Sequence, residues 1–382
     1  MSGISKIVMP GRAVTALATL TVACAGLAAQ AGPATARVTT TTTTAASGPV
    51  AYVANFTAGT VTPIDTATNT PGPAITVAPG PDEVAVTPNG ATAYVLSPGA
   101  RAVTAIDTAT NTVTATIRVG IAARALTITP DGKTVYVAIS GGSGVTPIET
   151  ATNVAGRPIM VGSGPTAIAI TPNGKTAYVA SQNANTVTPV NTATNKPGTP
   201  IAVGRRPLAI AITPNGKTAY VGSLDAATVT PINIATNTAG KPISATGAPT
   251  EIAITPNSAT AYVLSALRGL MFPITTADNK PGRTIGLGQF PGPMAITPNG
   301  QTVYVLNQFA DTVTPVRTAT NRAGKAIAMP APAGIAFTPD GTTAYVTNDS
   351  NPGTVTPIGT ATKAVGTPIP VGSGPEAIAI TP

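Results

Sequence analysis

The tyrosines of this chain all stand at one repeating place. Each opens a Tyr-Val pair, at Tyr52, Tyr94, Tyr136, Tyr178, Tyr220, Tyr262, Tyr304 and Tyr345, and no tyrosine occurs elsewhere. The spacing is 42 residues six times and then 41. A unit this short cannot bury an apolar face alone and must stack on copies of itself. One unit, Ala167 to Gly204, holds four short runs rich in Val, Ile, Thr or Tyr: Ile168 to Thr171, Ala177 to Ala180, Thr186 to Val190 and Pro200 to Val203. Gly, Pro, Asn and Ser bound each run, which is how strands and their turns read. Pro172-Asn173-Gly174 joins the first two: proline presets the first corner, and Asn and Gly tolerate the positive φ of the return. Four antiparallel strands in about 40–45 residues make a propeller blade. Beyond the N-terminus no window spaces its apolar residues as a helix does. The expectation is an all-β propeller.

The repeat resembles the YVTN β-propeller repeat. The literal tetrad occurs once, as Tyr345-Val346-Thr347-Asn348, and the supporting pattern I-A-I-T-P-N/D-G…A-Y-V…T-V-T-P-I…T-A-T-N runs from about residue 50 to the end. The resemblance implies a domain of bacterial or archaeal secreted and surface proteins, most often seven-bladed. It says little about activity. Similar propellers include lactonase-like enzymes and subunits of periplasmic dehydrogenases.

Counting the leading apolar residue of each first strand gives Val84, Leu126, Ile168, Ile210, Ile252, Met294, Ile335 and Ile378. That is eight blades, with seven as the alternative. Tyr52 opens a second strand that no first strand precedes, while Glu376 to Pro382 supplies a first strand with nothing after it. The C-terminal strand is expected to complete the N-terminal blade, closing the ring and removing open sheet edges. The third strand carries Pro at Pro63, Pro147, Pro189, Pro231, Pro273, Pro315 and Pro357, with Ala105 in the second unit. Proline cannot donate to a ladder, so a bulge or a strand end is expected there.

Residues 1–31 read as an export signal. Lys6 and Arg12 supply the positive start, Ala13 to Ala29 is apolar, and Ala29-Gln30-Ala31 is a cleavage candidate. Cys24, the only cysteine, makes lipoprotein anchoring an alternative, although Thr21 stands where a lipidation signal usually has Leu. Residues 32–48, with six threonines from Thr39 to Thr44, read as a flexible linker, and 49–382 as the propeller. These readings place the protein outside the cell, secreted or at the surface, with no transmembrane domain after cleavage, and as a monomer.

Composition excludes much chemistry. The chain has no His and no Trp, and its one Cys lies in the signal. That removes Ser-His-Asp and Cys-His catalysis, His/Cys zinc sites and His- or Cys-ligated haem. No metal and no cofactor are expected. Gly-Lys-Thr recurs at Gly132, Gly174 and Gly216, but Thr127, Ala169 and Ala211 stand where a phosphate loop needs its first Gly. Asp131 and Asp340 replace Asn in the first turn and read as turn residues. The net charge of +8 is scattered and lacks interleaved aromatics, which argues against nucleic acid. A weak attraction to acidic wall polymers fits it.

The loops that enter first strands and those that join the second strand to the third fall on one face of a propeller. The units differ there and agree on the opposite face, so any binding site is expected on the variable face. Two candidates lie on it. At the channel mouth, Asp82, Glu83, Arg124 and Glu376 fall in three successive blades if the ring closes, with Glu251 across the channel. In the variable loops, Phe56, Arg101, Arg205, Arg206, Arg268, Phe290 and Phe309 are interface-type residues. The sequence reading is an exported, non-catalytic scaffold that binds a protein, peptide or glycan through the variable-loop face. Its alternatives are a lactonase-like hydrolase at the channel mouth and a partner subunit of a periplasmic redox complex.

Overall fold

A computed structural model describes residues 48–288 and 290–382. The residues read as an export signal, with Cys24, and all but the last of those read as a linker therefore lie outside the described residues. The rest forms eight antiparallel sheets of one design, each the blade of a propeller. We number the blades by their tyrosines, blade 1 holding Tyr52 and blade 8 Tyr345. In blade 4 the first strand is Pro165–Ile170, the second Thr176–Ser181 and the third Thr186–Asn191, with Lys196–Pro197 and Ile201–Ala202 as the fourth. The ring closes as expected: Pro375–Ile380 pairs with Val50–Asn55 and becomes the first strand of blade 1.

The core lies between blades. Tyr94, Leu96 and Val103 of blade 2 pack on Leu126, Val135 and Val137 of blade 3, and comparable clusters fill the other seams. Ala, Val and Ile dominate them because stacked sheets leave room for small and β-branched side chains.

The tyrosines link each blade to the next. Their rings are buried, and in six seams the phenol donates to the Asn that ends the next blade's T-A-T-N turn, as in Tyr52 to Asn111 at 2.7 Å and Tyr262 to Asn321 at 2.6 Å. Tyr345 donates to Asn69 at 2.6 Å and so bonds across the closure. These asparagines sit at φ of +53° to +57°, in the left-handed region that Asn tolerates better than most residues. Burial pushes most of the phenols up to about 12, so the hydroxyl stays a donor. The eighth seam differs. Lys363 replaces Asn at φ +63°, and its Nζ donates to the Tyr304 hydroxyl at 2.6 Å and to the carbonyl of Thr360.

The third-strand prolines do not behave as expected. Pro63 sits inside an unbroken ladder opposite Tyr52, with neither a bulge nor a strand end, and the others repeat this. The physical reason is direction. The Pro63 carbonyl accepts from Gly72 N at 2.7 Å, so its edge faces the outermost strand, where the missing N–H does least harm. The outer strand breaks there instead, into Thr70–Pro71 and Ile75–Thr76 in blade 1. Each of the seven prolines has such a partner: Gly72, Gly156, Gly198, Gly240, Gly282, Gly324 and Gly366 donate to it at 2.7–2.8 Å. A Cβ on these glycines would lie 2.8–3.4 Å from the proline Cγ, too close for most side chains. Blade 2 has Ala105 and Thr114 in place of this pair; its outer strand runs from Thr112 to Arg118 without a break, and its register shifts at Thr114, between the Ala105–Ala115 and Ile106–Val113 pairs.

Candidate binding face and channel mouth

The two faces are built differently. On the uniform face, Thr87 Oγ1 donates to Asn89 Oδ1 at 2.7 Å and accepts from Thr92 N, closing the turn between first and second strands. Asp131 takes the same place, accepting from Thr129 Oγ1 at 2.6 Å, as does Asp340 from Thr338. The hydrogen bonds lower both carboxyls below their ordinary value, Thr129 and Thr338 contributing most. These two are turn residues, as the sequence implied.

The variable face presents exposed apolar side chains. Phe309, 77% exposed, lies in a one-turn 3-10 helix, Gln308–Ala310, between the second and third strands of blade 7. Phe290, in the loop entering the first strand of the same blade, meets it with ring centroids 5.4 Å apart. Leu267, 56% exposed, occupies the corresponding 3-10 turn of blade 6, Ala266–Arg268, with Arg268 beside it. Phe290 sits at φ +47°, where Gly80, Gly164 and Gly374 stand in other blades. A bulky side chain in that region is uncommon. Phe56, 47% exposed, lies over Gly80 between blades 1 and 2, two blades round the ring from the Phe290–Phe309 pair. Arg206 is tied down: its guanidinium lies 3.5 Å from Asp225, and its N–H donates to Asn185 Oδ1 at 2.8 Å. Arg101 and Arg205 are exposed on blades 2 and 5. The structure therefore brings together Phe290 and Phe309, with Arg268 on the next blade, and leaves Phe56, Arg101 and the Arg205-Arg206 pair at other places on the ring.

At the channel mouth, ring closure does put Glu376, Asp82 with Glu83, and Arg124 on blades 1, 2 and 3. Glu83 turns out to cap backbone. Its Oε2 accepts from Leu126 N on blade 3 at 2.8 Å, filling a donor that the inner edge of that strand leaves unpaired. Glu251, 8% exposed, does the same for Met294 N of blade 7 at 3.0 Å. Blades 2 and 6 are opposite in a ring of eight, so the two glutamates face each other across the channel and form no pair. Burial pushes both carboxyls well above their ordinary value of 4.5, helped at Glu83 by the charge of Asp82 and opposed in both by the backbone bond. Asp82 is raised too, by burial first, with Arg124 pulling it back. Arg124 is exposed and Glu376 is half-buried. A buried carboxyl that stays protonated can hold a backbone donor or serve as an acid, and it binds cations poorly.

Sequence reasoning missed the capping role. Its signal was the recurrence of Glu at one repeat position, Glu83 and Glu251, where other units have Ala125, Ala167 or Ala209. A concavity of about 430 Å³ lies on the outer wall between blades 3 and 4, against Pro147, Pro158, Met160 and Pro197, remote from both candidates. Among the described residues no group of three or more Asp, Glu, His or Cys is placed to hold a metal ion, and no helix is long and apolar enough to cross a membrane.

No protein-family profile matches the sequence, and no curated protein matches it. Solved structures do share the fold. The chain is similar to the dihydro-heme d1 dehydrogenase NirN in complex with DHE, at 16% identity and a TM-score of 0.76, covering 86% of this chain and 74% of that one. It is similar to apo AztD from Citrobacter koseri at 14% identity and a TM-score of 0.69, covering 87% and 97%. Hydrazine synthase of Kuenenia stuttgartiensis matches at 23% identity and a TM-score of 0.62, covering 74% and 96%. At these identities the likeness is one of fold, the β-propeller, and function must be argued from the site.

Proposed function

We propose that the protein is an exported binding scaffold that takes a protein, peptide or glycan on its variable-loop face, centred on Phe290, Phe309 and Leu267 of blades 6 and 7. One observation carries the reading. The uniform face closes its own polar groups turn by turn, whereas the opposite face holds two large aromatic rings in contact and open to water. Exposed aromatics clustered with an arginine are what interfaces use as anchors. The channel mouth supports a hydrolase less well, because Glu83 and Glu251 are engaged with backbone and the chain has no histidine to act as base.

The test is a capture experiment with the full chain against the extracellular proteins and wall glycans of the producing cells. A second bait carries Phe290→Gly and Phe309→Ala. The reading expects a partner retained by the first bait and lost by the second. Equal capture by both baits removes the aromatic pair from the interface and with it the proposed face.

A further inference from the structure

Charge is distributed by face as well. Each lysine among the described residues lies on the uniform face or the outer wall, and the basic residues of the variable face are all arginines, offset there by acids such as Asp225, Asp311 and Glu376. On the uniform face the excess is greatest on blades 4, 5 and 7, where Lys175, Lys196, Lys217, Arg317 and Arg322 are exposed, with Lys241 and Lys325 on the adjoining outer wall. On this side those three blades carry no acid. Blades 1 and 2 show the reverse, with Asp65 and Asp107 and no basic residue on the uniform face.

The charge is not a by-product of turn chemistry. The turn after the first strand accepts the same bonds from either acid or amide: Asn173 takes Thr171 Oγ1 at 2.7 Å and Lys175 N at 3.0 Å, as Asp131 takes Thr129 and Lys133. At the end of the third strand, Asn191 accepts from Thr194 N as Asp107 does from Thr110 N. Blades 4 and 5 use the amide at all four such places: Asn173, Asn191, Asn215 and Asn233. The turns would form with Asp, yet here they leave the lysines uncompensated. The ion pairs that do form on this face, Lys133 with Asp131 and Lys280 with Asp278, belong to blades 3 and 6.

We infer that the arc of blades 4 to 7 on the uniform face docks on an anionic lipid bilayer, its lysines meeting the phosphate layer, while blade 3, with Asp131 and Glu149 against Lys133, lies outside it. Geometry selects a planar partner. Repeat symmetry holds the turn lysines of neighbouring blades, Lys175 and Lys217, at one height above the ring, so both touch a flat surface together. Long, exposed ammonium groups gain from a diffuse negative potential without fixed geometry. The chain also enters the fold on this face, where Gly48 lies against Ala67. Docking this way leaves the variable face turned outward, and the inference stands independently of what that face binds.

The test is co-sedimentation of the full chain with phosphatidylglycerol vesicles, using phosphatidylcholine vesicles to subtract any contribution of the N-terminal segment. The variant carries Lys175→Glu, Lys196→Glu and Lys217→Glu, and a Gln version guards against misfolding. Each lysine near such a surface is worth about fivefold in partitioning. Binding to phosphatidylglycerol is expected to fall more than about tenfold in the Glu variant, less in the Gln version, and to weaken with salt. Arg205→Glu with Arg206→Glu, on the other face, should leave it unchanged. The inference is overturned if wild type binds both vesicles equally, if the lysine variants bind like wild type, or if soluble poly(glycerol phosphate) displaces the protein at matched phosphate.

Discussion

The Pro–Gly pair of the outer wall makes a quantitative prediction in the one blade that lacks it. Ala105→Pro would remove an N–H aimed at the outer strand, a loss of about 1 kcal/mol. It would also bring a pyrrolidine ring against the Cβ of Thr114, at the separations of 2.8–3.4 Å that the seven paired glycines avoid. Overpacking of that kind costs about 1–3 kcal/mol, so the single variant should lose about 2–4 kcal/mol. Thr114→Gly alone gives up the bond from Thr114 Oγ1 to the Ala105 carbonyl, 3.3 Å long, and adds backbone freedom, together about 1 kcal/mol. The double variant restores the residue pair of the other seven blades. It should be no less stable than Ala105→Pro, leaving a favourable coupling of about 1–3 kcal/mol. Urea unfolding of the four proteins measures this, with amide exchange in blade 2 as a local readout because a ring of repeats can unfold in parts. Additivity within about 0.5 kcal/mol would refute the pairing argument.

Two further outcomes follow from the seams and the channel. Tyr262→Phe and Asn321→Ala should each destabilise, and a double-mutant cycle should return a coupling of about 1 kcal/mol, whereas a cycle near zero would mean that the 2.6 Å bond contributes nothing across the seam. The raised carboxyls of Glu83 and Glu251 bind protons more tightly folded than unfolded. Their stabilising contribution is therefore complete below the ordinary value of 4.5 and is lost as pH rises through the folded value. Wild type should melt at a higher temperature near about pH 5 than near about pH 8, and Glu83→Gln with Glu251→Gln should flatten that difference; an unchanged pH slope would count against burial as the cause.

Most of the fold was legible because it is periodic. The tyrosine spacing, the turn signals and the orphan strands at the two ends led to eight blades and a closed ring, each resting on local chemistry repeated many times. The relations that escaped all run between units. Tyr52 and Asn111 are each ordinary within their own repeats, and only the stacking of blade on blade makes them partners. The prolines were misread for a related reason. A ladder was treated as needing every N–H, while the direction each N–H faces depends on which neighbour lies outside. The clue was in the sequence, since Gly accompanies Pro in seven units and the unit with Ala105 has Thr114. The channel-mouth group was half legible: adjacency followed from closure, but capping of Leu126 by Glu83 depends on a side chain reaching the next blade.

The same comparison between units bears on Phe290. At its place Gly80, Gly164 and Gly374 adopt positive φ freely, and Ala122, Arg206 and Ala331 adopt it as well. Phe290 is the bulky apolar residue of the set. A side chain held in this region costs on the order of 1–3 kcal/mol, which a core residue can offset by burial. Phe290 remains 41% exposed and leans, tilted by 56°, against a ring that is itself more exposed, so its burial offsets little of that cost. Folding alone does not account for an aromatic there, since three blades close the same loop with glycine. The proposed binding role would account for it, because fixing the rings beforehand lowers the entropy lost on binding.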